Sequence, residues 1–472
     1  MPAEIIKFGT DGWRSLIADD YTFDNLKRCA RALALHLRKT EPLYKNGIAI
    51  GYDTRFLSKE FAAATAQTLA ENGVPAFLSS RDCPTPAIAW ATRSRGLAGG
   101  VMITASHNPP QYNGFKFMLP TGRSADTAAT KSVESFLRAS PERTSSTRSK
   151  VEAATVTEFD PRPEFLDQLR SIVDLDSLKK KRGRAVCDFV HGVGRDYLDV
   201  LLRECGWKVS TIRDHPDPMF GGILPDPANP QTHKTLQNEV LRRKADLGLA
   251  NDPDADRFGV VDSTGVYISP NEVIALVYVH LLEHRGMSGA IARTVATTGL
   301  LDAIARKHQQ QVIETPVGFK WLGEKLDKDE AILGGEESGG LGLIGHCPIK
   351  DGVLADLLIA EVWATQKIPL SQRVAQINKK YGHFYADRID VHLTVERKDA
   401  LMRGLEKSPP QEFAGIKVKD VVTLDGLKLN LEDGSWLLLR ASGTEPIVRV
   451  YFETTSKKRI KELRAAASQL GH

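Results

Sequence analysis

No stretch of this chain approaches the ~20 consecutive apolar residues that a membrane span needs, and its start, MPAEIIKFGTDGWR, carries no apolar signal core. Neither insertion into a membrane nor secretion is expected. The five cysteines (Cys29, Cys83, Cys187, Cys205, Cys347) are odd in number, scattered, and form no CxxC pair. They read as reduced thiols of a cytoplasmic protein. A dominant charge of one sign is also missing: 63 Lys and Arg face 59 Asp and Glu, for a net +4. That balance suits small anions and is too diffuse for nucleic acid. The one dense basic run, Lys179-Lys180-Lys181-Arg182, reads as a solvated helix end or turn. No P-loop, HExxH or GxSxG occurs, which removes the commonest nucleotide-hydrolase, metalloprotease and serine-esterase readings. No fixed short period appears, so the chain is not a solenoid.

What is present is a globular composition, with 42% hydrophobic and 26% charged residues over 472 positions, enough for three or four domains. Phe23, Leu26, Ala30, Leu33 and Leu37 keep the spacing of an amphipathic helix. Strands are expected at Ile48–Ile50 and Ala76–Leu78, with helices from Phe61 and Pro86 between and after them. A Ser/Thr-rich, aromatic-free stretch, Ser140–Thr157, reads as a linker. Two further α/β units follow, the last ending near Tyr381-Gly382, and then strand-rich segments surround helices. The expected architecture is three α/β domains with mixed sheets plus a C-terminal α+β domain, divided as 1–150, 158–262, 263–381 and 382–472.

Four loops carry candidate chemistry. VMITASHNPPQYNGFKF (Val101–Phe117) runs from a strand into a segment where two prolines forbid helix and sheet alike. It sets Ser106 and His107, expected to be exposed, on a stiff loop. In LANDPDADRFGVVD, Asp252, Asp254 and Asp256 alternate, so extended chain would put three carboxylates on one face. Like charges so crowded call for a cation, and an all-oxygen set favours a hard ion such as Mg²⁺ over zinc; the alternative is a solvated acidic turn. An EF-hand is excluded, because Arg257 and Ser263 stand where its glycine and glutamate belong. In ILGGEESGGLGLIGH, four glycines around Glu336-Glu337-Ser338 permit unusual backbone, and carboxylate beside hydroxyl suits vicinal sugar hydroxyls. The GxGxxG match at Gly340–Gly345 precedes His346-Cys347-Pro348 rather than a helix, so it is no dinucleotide site. In LLLRASGTEPIVRVYF, Arg440 and Arg449 flank a Ser442-Gly443-Thr444 turn able to cradle a phosphate, or simply to turn the chain.

Taken in order, TASHNP, DPDADR, GEESGG and RASGTEPIVRVY, with the opening KFGTDGWRS, resemble the active-site loops of the α-D-phosphohexomutase superfamily over nearly the whole chain. The resemblance implies a catalytic site in the cleft between four domains. Ser106 matches the serine that carries a phosphoryl group and, with Asp252, Asp254 and Asp256, the Mg²⁺ ligand set. Arg257 completes the metal loop, and Arg14 matches an arginine near the phosphoserine. His107 and Lys116 match the candidate proton-transfer groups. Glu336 and Ser338 match sugar-hydroxyl ligands, and Lys320 a substrate-contacting lysine; His346 and Lys350 are further substrate-side matches. Arg440, Ser442, Gly443, Thr444 and Arg449 match the site for the non-reacting phosphate. The implied activity interconverts hexose 1- and 6-phosphates, glucose first and mannose second, through a hexose 1,6-bisphosphate that also primes the enzyme. GEESGG is closer to glucose-type members than to the GEQSG of glucosamine enzymes. Phosphoglucosamine mutase, a non-catalytic sugar-phosphate binder and a phosphatase with an aspartate nucleophile are the alternatives. A hexose phosphate is the expected partner, with no nucleic acid or membrane, in a monomer or small homo-oligomer. The last domain is expected to move about Lys380–Gly382.

Overall fold

A computed structural model describes residues 6–139, 152–442 and 446–471. Its strands fall into four sheets. The first has six strands in the order Trp13–Leu16, Tyr112–Met118, Gly99–Ile103, Ile48–Tyr52, Ala76–Ser79 and Val156–Phe159. Its centre is parallel, whereas Tyr112–Met118 runs antiparallel to both neighbours. The second places Tyr267–Ile268, Phe258–Asp262, Leu247–Asn251, Arg184–Asp188 and Lys208–Ile212 side by side, and the third Val312–Thr315, Ile291–Thr294, Leu333–Glu336 and Gly340–Leu343. Both are parallel apart from antiparallel strands at one edge. The fourth is antiparallel throughout, with six strands between Tyr385 and Thr454. Three mixed α/β sheets and one α+β unit are therefore what the alternation of patterns led us to expect.

The linker reading of Ser140–Thr157 needs correction. Residues 140–151 lie outside the described residues, but Val156–Phe159 is a strand that closes the first sheet by pairing with Ala76–Ser79. Three of its four residues are exposed, as an edge strand allows, so it lacks the apolar run that marks a buried one. The Lys179–Arg182 run behaves as expected: it is exposed and follows the last turn of helix Leu175–Lys180.

Helix Gly352–Gln366 is buried on every side from Gly352 to Ala364, the mark of a helix that runs inside a core. It packs on helix Pro270–Glu283 and on strands Leu247–Asn251 and Phe258–Asp262. The second and third sheets consequently share one continuous hydrophobic core, while the first and fourth have their own. Glu361, buried in that shared core, takes an ion pair from Arg285 and hydrogen bonds from the His280 ring and the Asp174 amide. Among the described residues no helix is long and apolar enough to cross a membrane, and all five cysteines are buried and unpaired.

The start of Gly352–Gln366 also fixes the acidic loop. The Gly352 amide donates to the Ala255 carbonyl at 3.1 Å, and a Cβ at position 352 would lie 2.1 Å from the Arg257 carbonyl oxygen. Gly352→Ala must push that loop aside. It is expected to cost about 1–3 kcal/mol, read as a lowered midpoint in denaturant unfolding; an unchanged midpoint would mean the helix start does not hold the loop.

Candidate active site

Each candidate loop sits at the carboxyl end of a strand and turns the chain into an antiparallel neighbour. Residues 104–111 connect Gly99–Ile103 to Tyr112–Met118, 252–257 connect Leu247–Asn251 to Phe258–Asp262, and 337–339 connect Leu333–Glu336 to Gly340–Leu343. In the first three sheets these are the carboxyl ends of parallel strands, where open α/β sheets bind ligands.

The serine loop is not exposed, contrary to expectation. Ser106 is fully buried and His107 half-buried, because the second domain's acidic loop covers them. Ser106 Oγ donates to Asp252 Oδ2 at 2.7 Å, and His107 Nδ1 lies 3.3 Å from the same Oγ. Ser106 has φ +51°, in the left-handed region, and its amide donates to Thr104 Oγ1 at 2.8 Å. Arg14 donates to Asn108 Oδ1 at 2.9 Å on the outer side of the loop.

The acidic loop is a turn at a strand end, between its two flanking apolar strands. Ala255 takes φ +53°, and its amide donates to the Asp252 carbonyl. Convergence of the carboxylates thus comes from the turn, not from strand alternation. One oxygen from each of Asp252, Asp254 and Asp256 lies within 4.8 Å of the others, and all three residues are buried. Asp252 Oδ1 accepts from the amides of Asp256 and Arg257, and Asp254 Oδ2 from Thr85 Oγ1 at 2.6 Å.

Lysines from the first and third domains supply countercharge. Lys116 Nζ donates to Asp254 Oδ2 and to Asp256 Oδ2, both at 2.7 Å, and lies 3.0 Å from Asp11 Oδ2. Lys350 Nζ is 3.2 Å from Asp11 and 3.4 Å from Asp256. Burial raises the Asp11 carboxyl, but Lys116, Lys350 and Arg14 outweigh it and hold that group well below the usual range. Burial disfavours the Lys116 ammonium, yet Asp11, Asp254 and Asp256 push its pKa well up. Asp252 goes the other way: burial and then the charges of Asp254 and Asp256 raise it well above a normal carboxyl. Burial, followed by Arg257, Arg14 and the two lysines, drives His107 well below an ordinary histidine.

A cation fits here on the donors alone. The set is all oxygen, and among the described residues Asp254 Oδ1 and Asp256 Oδ1 are buried without a hydrogen-bond partner, which suits a hard divalent ion.

The GEESGG hairpin closes a further side. The Phe258 amide donates to the Gly339 carbonyl at 3.3 Å, joining the acidic turn to this one. Of the four glycines, only Gly339 (φ +94°) uses a conformation closed to other residues. The others are strand positions where a Cβ would meet Leu322, Ile274 or Glu336, so they serve close packing rather than backbone freedom. Glu336 is buried beside Lys350 at Gly340, Glu337 turns inward to accept from Thr294 and Thr297, and Ser338 is half-buried between them and Gly339.

Other expected residues lie farther round. Arg257 faces Asp226 at 3.5 Å. Lys320 donates to Thr127 Oγ1 of the first domain at 3.1 Å. Arg440 and Arg449 are direct cross-strand partners in the fourth sheet, and Ser442 follows at its edge; Gly443 and Thr444 lie outside the described residues. Arg440 Nε and the Val317 amide both donate to Asp425 Oδ2 at 2.9 Å, which ties this sheet to the Val317–Lys320 segment. His346 stands apart: its Nε2 is paired with Asp351 at 2.8 Å and its ring lies between Trp90 and Phe165, a packed position between domains. The reading of the motifs missed Asp11, Asp425, and the pair Asp53 and Arg55 behind the serine loop. Asp11 stands inside the quoted FGTDGWR opening, and Asp53 and Arg55 follow strand Ile48–Tyr52.

Comparison with known proteins covers the same ground. Residues 6–144, 163–265 and 269–381 match the family models for alpha/beta/alpha domains I, II and III of phosphoglucomutase/phosphomannomutase, and residues 393–470 match its C-terminal domain. A Thermococcus kodakarensis protein named phosphoglucomutase/phosphomannomutase is 32% identical over 455 residues, 96% of each chain. A Methanothermobacter thermautotrophicus protein named a probable phosphoglucosamine mutase is 30% identical over 462 residues, covering 96% of this chain and 95% of that one. A crystal structure from Thermus thermophilus, named as a phosphomannomutase, superposes with a TM-score of 0.84 at 33% identity over 99% of both chains.

If the aspartates hold a divalent ion, Mg²⁺ or Mn²⁺ at about a hundred times its dissociation constant adds about 2.7 kcal/mol to folding stability. The wild-type melting temperature is expected to rise accordingly, and Asp254→Asn to abolish most of that rise. An equal rise in both proteins would place the metal elsewhere.

Proposed function

The chain belongs to the phosphoglucomutase/phosphomannomutase family, whose members are phosphohexomutases, and from that premise we propose that it interconverts hexose 1-phosphate and hexose 6-phosphate through a phosphorylated Ser106. Glucose phosphate is the favoured substrate and mannose phosphate the next. The observation that carries this reading is the contact of Ser106 Oγ with Asp252, inside a buried three-carboxylate cluster with unpartnered oxygens. A hydroxyl in that setting suits a group that exchanges a phosphoryl beside a cation, and a passive sugar-phosphate binder has no need of it.

In this reading Asp252, Asp254, Asp256 and a phosphoserine oxygen hold Mg²⁺, which when bound polarises the phosphoryl group and balances its charge. Arg14, Arg257, Lys116 and Lys350 keep a group of about −1.5 to −2 charge tolerable beside the carboxylates. Donation breaks the Oγ–P bond as a bond forms from phosphorus to the oxygen of the free sugar hydroxyl, whose proton passes to Ser106 Oγ, giving a hexose 1,6-bisphosphate. That intermediate turns over in the site and returns its other phosphate to Ser106. A trace of the same bisphosphate primes enzyme that has lost its phosphate.

His107 is the better proton carrier of the two candidates. Burial and four nearby cations keep its imidazole uncharged, and its Nδ1 stands 3.3 Å from Oγ. It can therefore take the Ser106 proton as the serine accepts a phosphoryl group. Lys116, held charged by Asp11, Asp254 and Asp256, serves as a fixed cation. Glu336 and Ser338 contact the sugar hydroxyls, with Lys320 beside them, while Arg440, Ser442, Gly443, Thr444 and Arg449 hold the phosphate that is not reacting. His346 keeps a supporting place behind Asp351.

Both ends of the sugar must use one phosphate pocket, so the last domain, 382–472, closes on substrate, over domains whose division at 1–150, 158–262 and 263–381 is amended only by the strand Val156–Phe159, which belongs to the first. Lys380 and the Tyr381 hydroxyl are both bonded to Glu283, and Gly382 has φ +107°, which favours bending at Gly382 itself. Phosphoglucosamine mutase remains the second reading, favoured by the Methanothermobacter relative.

Phosphorus NMR tests the reading directly. With Mg²⁺ and a trace of glucose 1,6-bisphosphate, glucose 1-phosphate is expected to convert to the 6-phosphate faster than the mannose or glucosamine analogue. Conversion confined to the glucosamine tube would install the second reading, and inorganic phosphate alone would mean a phosphatase. Ser106→Ala should lose turnover while still binding hexose phosphate. Arg440→Ala should weaken substrate affinity by about 1.5–3 kcal/mol, the range of a charge-assisted bond, with a smaller effect on kcat. An effect on kcat alone would remove Arg440 from the phosphate site.

A further inference from the structure

We propose that Arg55 is the positioning residue of the serine loop, fixing Ser106 in its left-handed conformation by gathering three of the loop's main-chain carbonyls, and that of Tyr112 at the start of the next strand, onto one guanidinium. The inference rests on the reading of Ser106 as the phosphoryl carrier.

Loop 104–111 poses a backbone problem. Its carbonyls leave the sheet, its proline pair supplies no N–H for turns, and Thr104 to Ser106 are buried. Buried carbonyls need donors. Arg55 provides them: Nη1 donates to the carbonyls of Pro109 at 2.8 Å and Tyr112 at 2.9 Å, and Nη2 to those of Ser106 at 2.5 Å and Asn108 at 2.6 Å. The side chain is wholly buried, and its Nε lies 3.2 Å from Asp53 Oδ2.

Asp53 reaches the other face of the same residue. Its Oδ2 accepts from Thr104 Oγ1 at 2.6 Å, and Thr104 Oγ1 accepts from the Ser106 amide at 2.8 Å. Its Oδ1 accepts from Ser58 Oγ and from the Arg55 amide. One ion pair thus fixes both the N–H and the C=O of Ser106. A left-handed non-glycine residue is strained and persists where its surroundings over-determine it; this pair is that surrounding.

The second domain locks the arrangement from behind. The Phe220 ring lies 4.9 Å from the Arg55 guanidinium carbon, is fully buried, and is held in a turn whose amides at Met219 and Gly221 donate to Asp217. Seating that domain therefore brings Asp252 to Ser106 Oγ and Phe220 to the back of Arg55 together. Arg55 commits its donors to main-chain carbonyls, so its role is to place the serine and not to meet substrate. Lysine keeps the charge but lacks the planar fork that spans four carbonyls.

The test uses the full-length enzyme with Mg²⁺ and bisphosphate, comparing Arg55→Lys, Arg55→Ala and Phe220→Leu with wild type and Ser106→Ala. A displacement of about 1 Å at the reacting atom costs on the order of a hundredfold. Arg55→Lys is expected to lower kcat by that amount while KM for hexose phosphate moves less than about threefold. The Mg²⁺-induced rise in melting temperature should persist. Phe220→Leu should lower kcat less, by about tenfold. Millimolar guanidinium should restore kcat of Arg55→Ala by about tenfold or more, a rescue that general loss of stability would not show. Should Arg55→Ala fail to fold, the lysine and leucine variants decide the matter. Arg55→Lys within threefold of wild-type kcat would overturn the proposal, as would a loss of kcat accompanied by loss of the Mg²⁺ response. Activity retained by Ser106→Ala would instead overturn the underlying reading, so the two failures are distinct.

Discussion

Three carboxylates within 4.8 Å of one another, all buried, are the constraint to which the surrounding structure answers. Desolvating such a cluster costs several kcal/mol per ion unless opposite charge is brought equally close. No single sheet could supply it. Lys116 comes from the first sheet, Lys350 follows the last strand of the third, and Asp11 bridges the two ammonium groups. Packing of the first three domains and local charge balance are thus one problem. Helix Gly352–Gln366 touches the acidic turn with its first residue and joins the second and third cores with its body. A divalent ion among the aspartates would take over part of the balance Lys116 now carries, freeing it to face a phosphoryl group.

The division between what could be read from the chain and what could not follows the range of the interactions. Motif residues cluster in sequence because each loop is local, and so Ser106, the three aspartates, Glu336 and Arg440 were all legible, as were the strands and helices that alternate around them. Arg55 was not, because its partners are main-chain carbonyls, which leave no trace in residue type. Asp425 belongs to the same class: it joins Arg440 to an amide 108 positions away. Burial of Ser106 was hidden for a related reason, since the cover comes from residue 252. The GEESGG region read as free backbone, whereas its glycines are mostly strand positions packed against side chains, a use that lowers strand propensity and so conceals the hairpin.

A single device recurs at the four chemical loops. Each joins one strand to an antiparallel neighbour, so its two ends are pinned by ladder hydrogen bonds in a fixed register. Within a sheet this leaves few ways to misplace a side chain. Between sheets the alignment depends on bonds such as Phe258 to Gly339, Thr85 to Asp254, and Val317 to Asp425. Local aim and mutual placement thus come from different forces. The fourth sheet keeps its own core and is joined to the rest of the chain through Gly382.

The φ of +51° at Ser106 has a consequence for sequence drift. Glycine would occupy that backbone position without strain, so, where Ser106 is the phosphoryl carrier, Ser106→Gly belongs to the substitutions that can gain stability as they destroy the reactive group. Selection for heat resistance alone would tend to erase the serine, and only selection for turnover would keep it. If Ser106 carries the phosphoryl group, the left-handed serine is a residue kept against the preference of its own backbone, at a position where a hydroxyl is worth that strain.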